Sequence, residues 1–121
     1  MSLTNTGENT ILTLFKESKT HYLALFTTAP SESGGGTEVS GGAYARQAVT
    51  FGSPSNGSMS NSAAIEFPTA TANWGTAKAW GLFDAATSGN LIWYGDITTA
   101  KELLAGDIYR ITAGSLTLTM D

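Results

Sequence analysis

Cysteine is absent from the 121 residues, which excludes disulfide bonds, thiolate metal sites and thiol nucleophiles together. Histidine occurs once, at His21. A catalytic imidazole needs a nucleophile beside it and a third group to orient it, and no Gly-x-Ser-x-Gly elbow accompanies this one. His21 opens an apolar run and reads as a strand-edge residue. Charge is scarce as well: Asp, Glu, Lys and Arg make up 13% of the chain, about half of the roughly 25% typical of soluble domains. The polar surface must therefore be built from Ser, Thr, Asn and backbone, which are far less costly to desolvate against a neighbour than a charge. Six basic residues face ten acidic ones, for a net charge of −4, and the basic ones are scattered. Phosphate neutralisation needs them clustered, so no nucleic-acid partner is expected. No run approaches the roughly 18 apolar residues that cross a bilayer, and the first residues lack the basic-then-apolar pattern of a secretion signal. A soluble product of the cytoplasm with no membrane partner is the expectation.

Chemistry has few other places to reside. With one His and no Cys a metal would rest on carboxylates alone, and no Asp-x-Asp-x-Asp-Gly loop is present; no metal or cofactor is expected. Asp84, Asp96, Asp107 and Asp121 fall at predicted strand ends, where Asp satisfies turn backbone groups. A glycosidase pair drawn from two of them is the sharper alternative, but acids scattered over turns support it poorly, and no enzymatic activity is expected. Gly34-Gly35-Gly36 is followed by no Lys-Ser or Lys-Thr and opens no helix, so it reads as a flexible loop tip and not as a phosphate cradle.

The apolar material is ample: 41% of residues are hydrophobic and 10% aromatic, enough for a true core. The spacing predicts one helix over Asn5 to Lys16, with Asn5 and Glu8 at capping-box distance and Ile11, Leu12, Leu14 and Phe15 as its apolar stripe. From His21 onward the pattern is β. Strands are expected at His21 to Phe26, Tyr44 to Phe51, Ala63 to Phe67, Ala77 to Ala85, Leu91 to Ile97 and Asp107 to Ile111. In the closing SLTLTMD, Leu116, Leu118 and Met120 alternate with Thr117, Thr119 and Asp121. The turns are marked by Asn56-Gly57, Thr87 to Asn90, Ala105-Gly106 and Ala113-Gly114. The stretch from about Thr27 to Ala43 is longer than an ordinary connection, so it is either mobile or ordered by a neighbouring subunit.

Seven or eight short strands with no βα alternation predict a mainly β chain, an antiparallel sandwich of jelly-roll type with one short amino-terminal helix. Residues 1–20 form a helical arm and 21–121 a single domain. Leu23 to Phe26 and Leu91 to Tyr94 are apolar at every position, so both of their faces need cover, from the helix or from another subunit. The aromatic residues Trp74, Trp80, Trp93 and Tyr94 gather around the strongest hairpin. Core packing is the plain reading for Trp80 and Trp93, while Trp74 lies in a polar stretch where core and contact roles are both open. With Phe15, Tyr44 and Arg46 they form the candidate set for assembly or surface contact.

Three stretches, GGGTEVSGGAYARQAVTF (Gly34 to Phe51), NSAAIEFPTATANWGTAKAWGLFDAATSGNLIWYGDI (Asn61 to Ile97) and AGDIYRITAGSLTLTMD (Ala105 to Asp121), resemble small virion proteins of tailed bacteriophages and prophages, labelled tail fibre proteins or capsid decoration and cement proteins. The resemblance covers nearly all of the chain after His21. It implies a structural role in the virion, a jelly-roll-like fold and a homo-oligomer such as a trimer, with the major capsid protein or tail proteins as partners. A fibre shaft would show repeats or a triple-stranded pattern and this short chain has neither, which tilts the expectation towards a decoration or cement module on the capsid surface. The alternative is a tail-associated adhesin that contacts a host-surface glycan or protein, motivated by Trp74 and the aromatic hairpin. The helix and the Gly-rich loop are the segments most able to reach a neighbour, and at least one of them is expected to be a contact arm.

Overall fold

The structure, a computed structural model, describes residues 3–120. One helix, α1 (Asn5–Ser18), is followed by nine strands among these residues: β1 (His21–Thr28), β2 (Thr37–Glu38), β3 (Gln47–Val49), β4 (Ser58–Ser60), β5 (Ile65–Glu66), β6 (Gly75–Phe83), β7 (Leu91–Leu103), β8 (Arg110–Ile111) and β9 (Thr117–Thr119). All pairings are antiparallel, so the chain is mainly β, as its alternation and turn spacing predict. The five-stranded sheet runs β2-β1-β6-β7, with β3 sharing the edge of β1 that β2 occupies, and β4-β9 and β5-β8 form two short ribbons.

The core lies between sheet and ribbons. Leu23, Leu25 and Leu82 from the sheet join Met59, Ile65, Phe67 and Leu118 from the ribbon side in one buried cluster, which makes two layers around one apolar interior. Asn61 is buried among them with its amide fully used: Nδ2 donates to the carbonyls of Ala63 and Thr112 at 2.8 and 3.0 Å, and Oδ1 accepts from Leu116 N–H at 2.9 Å. It ties the β4–β5 passage to the β8–β9 passage. A buried amide is tolerable because each of these atoms has a partner.

The helix begins one residue earlier than the capping-box spacing places it. Thr4 is the N-cap, and its side chain accepts from Gly7 N–H at 3.1 Å. Leu12 is fully buried in the core cluster, and Asn9 Oδ1 accepts from Gly57 N–H at 3.0 Å, so the helix is docked on the turn before β4. That turn is the expected one: Asn56 and Gly57 both have positive φ, 52° and 76°, between Ser55 and Ser58, which exchange backbone hydrogen bonds. Two consecutive left-handed residues are the signature of a hairpin turn that Asn-Gly accommodates.

Several expectations change, among them the end of β7, which runs past Ile97 to Leu103. The long segment before Tyr44 is ordered within the chain: β1 extends to Thr28, β2 pairs with its end, and Ser31 and Gly34 close a small turn. The strand expected over Tyr44 to Phe51 contracts to Gln47–Val49, because Tyr44 and Arg46 use side chains in place of a backbone ladder. Asp121, assigned to the outward face of the closing strand, lies outside the described residues.

Candidate interaction surface

β1 is buried on both faces, Leu23 to Phe26 without exception, as four consecutive apolar residues require. Leu23 and Leu25 face the main core, while Ala24 and Phe26 belong to a second, smaller cluster with Ala79 and Phe83. Arg46 supplies cover on this second side. Phe26 stacks on Phe83 with 6.1 Å between ring centroids, and the Arg46 guanidinium carbon sits 3.7 Å from the Phe83 centroid, a cation–π distance.

Arg46 is the hub of this region. Its Nη2 and Nε donate to Glu38 Oε1 and Oε2 at 2.8 and 2.9 Å, a bidentate fork. Nη1 donates to the carbonyls of Ala85 and Ser88 at 3.0 and 2.7 Å. Tyr44 completes the network, its hydroxyl donating to Glu38 Oε2 at 2.7 Å while accepting from Leu25 N–H at 3.0 Å. Leu25 falls between the stretches of β1 that pair with β3 and with β2, so the phenol fills a gap in the ladder. Burial raises the Glu38 pKa, but the hydrogen bonds from Arg46 and Tyr44 and the Arg46 charge outweigh it and hold the carboxyl below its ordinary range. Burial and the Glu38 hydrogen bond push the Tyr44 phenol far up.

The aromatic candidates separate into internal and external ones. Trp74 is buried, 5% exposed, donating to Gly42 O at 2.9 Å and meeting Tyr44 edge-on at 5.4 Å; of its two open roles the structure assigns the core. Phe15 of α1 stacks on His21 at 4.0 Å and meets the edge of half-buried Trp93 at 5.6 Å. Burial first, with Lys19 adding to it and Asp84 opposing, lowers the His21 pKa. Half-buried Trp80 lies across Gly95 and, with Leu25, Asp96, Thr98, Tyr109 and Arg110, lines an open cleft of about 260 Å³ between β7 and β8. Tyr94 is external, 39% exposed, and neighbours Ile92 at 44%.

Ile92 and Tyr94 identify a surface that sequence periodicity missed. Leu91 to Tyr94 was expected to be covered on both faces, yet the burial of β7 alternates and leaves these two side chains open. β7 is also the last strand of its sheet, hydrogen-bonded only to β6. Its edge position could not be read from composition; only strand order reveals it. Other large apolar side chains stand exposed elsewhere, Leu14 of α1 at 64%, Leu104 at 46% and Ile108 at 49%. Among the described residues no three His, Asp or Glu side chains converge on a metal-sized site.

An exterior poor in charge, a network of internal aromatics and an open strand edge describe a part made to be built into something. A family model described as Podophage GP4 fiber I protein gp80 matches residues 2–119. The chain belongs to this family. It is therefore a bacteriophage structural protein and a component of the virion, in keeping with the resemblance carried by its Gly-rich, Trp-Gly and closing strand motifs. Among curated proteins none matches the chain.

Proposed function

We propose that the chain is a non-enzymatic module of the phage tail fibre, held in the virion by contacts with its own copies and with neighbouring tail proteins. The fibre description of the family, matched over residues 2–119, carries this reading and favours it over the capsid surface, the first expectation from sequence. The surface supports it: Leu14, Ile92, Leu104 and Ile108 are each more than two-fifths exposed on a chain with 13% charged residues, and such surface is usually covered in an assembly. Gold-labelled antibody against the protein, applied to intact particles, is expected to decorate tails. Label confined to the capsid would overturn the tail assignment and return the reading to capsid decoration.

A second reading, contact with a host-surface glycan, is favoured by the cleft beside Trp80. Its volume of about 260 Å³ lies just under the range of small-molecule sites, and it combines aromatic rings with one carboxylate and one guanidinium. A glycan array probed with the wild type and with Arg110→Ala would test it: binding lost in the variant supports the adhesin role, and silence across the array removes it.

A further inference from the structure

We infer that β7 is a copy-to-copy interface, pairing antiparallel with β7 of a second copy about a two-fold axis at Tyr94. This deepens the self-association in the fibre reading and rests on it.

Three observations lead there. First, β7 runs for thirteen residues with β6 as its only neighbour, and among the described residues no hydrogen bond reaches the outer edge of Leu91 to Glu102. A bare edge is a template for another strand, and solitary proteins guard it with charge, proline or bulges. Here the guards are uneven. Both halves carry a bulge, at Ile92 and where residues 97–100 stand against Lys78 alone, but only the second half adds the charges of Lys101 and Glu102. The first half, Leu91 to Gly95, carries no charge and exposes Ile92 and Tyr94.

Second, the partner strand must offer a free edge of similar length. β1 and β6 are paired on both sides, and every other described strand has at most three residues. β7 is thus the matching edge for β7, and only a second copy can supply it. A three-fold ring needs two unlike surfaces that fit head to tail, and no second long edge exists among the described strands to provide one.

Third, the side chains fit a register centred on Tyr94. A two-fold axis perpendicular to the sheet keeps each face with itself, so Tyr94 opposes Tyr94, Trp93 opposes Gly95 and Ile92 opposes Asp96. Aromatic pairs are favourable cross-strand neighbours, and Gly95, already covered by Trp80 of its own sheet, offers no side chain to obstruct Trp93. No like charges meet. The ladder with β6 shifts register at Ile92, between Trp93 and Leu91, and again after Asp96, which limits the pairing to a short run centred on Tyr94.

A residue on a two-fold axis faces its own copy, and the test uses that property. Sedimentation equilibrium of the full chain is expected to give an even number of copies. Tyr94→Lys and Tyr94→Glu should each weaken association by about tenfold or more, since like charges directly opposite are destabilising, while Tyr94→Phe should retain it. Mixing the Lys and Glu variants in equal amounts should restore it, because each then faces its opposite. Tyr94 is half-exposed, and near-ultraviolet circular dichroism of each variant, with Ile108→Lys as an exposed control, checks that the fold persists. A monomeric or three-copy wild type, or a Lys–Glu mixture no better associated than either variant alone, would overturn the inference. Tail labelling of particles is read independently, so a failed edge and a failed tail assignment are told apart.

Discussion

Arg46 ties Glu38 on β2 to a distant part of the chain, the end of β6 and the β6–β7 connection, through the ring of Phe83 and the carbonyls of Ala85 and Ser88. Its side chain is 9% exposed and that of Glu38 25%, so solvent screens the pair only in part. Breaking a largely buried pair leaves an uncompensated charge. Arg46→Ala should cost about 2–3 kcal/mol in urea denaturation, and Arg46→Lys should recover less than half, since an ammonium cannot reproduce the fork. The same network sets a pH dependence. The Glu38 pKa is lower in the fold than its ordinary 4.5, so its contribution is complete above that value and is lost as the pH falls through the depressed folded value. His21 acts in the same direction: burial disfavours its charged form, so stability falls as the unfolded chain takes up protons below 6.5. Urea midpoints should therefore drop on acidification, and Glu38→Gln should flatten the acid limb of the curve.

At the scale of the element, helix and Gly-rich loop behave differently from free arms. Leu12 is fully buried, and Leu12→Ala should destabilise the whole protein by about 3 kcal/mol, seen as one shifted cooperative transition; a separate low-stability phase would mean that the helix unfolds alone. In the loop, Gly35 and Gly36 both have positive φ, 79° and 75°, but a Cβ on Gly36 would lie 2.6 Å from Thr28 O while one on Gly35 meets nothing within 4 Å. Gly35→Ala should cost about 1 kcal/mol, the left-handed penalty alone, and Gly36→Ala clearly more, because Thr28 and Pro30 are backbone that must shift. Thermal denaturation of the pair separates conformational cost from collision.

For the whole molecule, sparse charge defines how it meets neighbours. The open half of β7 carries apolar side chains and unpaired backbone, neither of which is screened by salt. Association of the purified protein should therefore change little between low and moderate sodium chloride, and should strengthen in sulfate, which favours apolar burial. A steep loss of association with sodium chloride would point to ion pairs such as those of Lys101 and Glu102.

The sequence by itself determined the β class, the single helix, the Asn56-Gly57 turn, the Leu116 and Leu118 alternation and the embedded Leu23 to Phe26 strand. Each is a local signal, a period or a turn residue, and local signals survive folding when nothing distant opposes them. The resemblance also placed the chain among virion proteins, which the family match bears out. Only the tertiary structure decided that Trp74 is core, that Arg46 is a hub and that Leu91 to Tyr94 lies open on one face. Those outcomes depend on which strands are neighbours, and a period-two pattern reports that a strand has two faces without reporting what stands against either one. The edge position of β7 is the extreme case: sheet order is set by pairings over long sequence separations, such as β1 with β6, and no residue of β7 encodes that its far side is left without a strand.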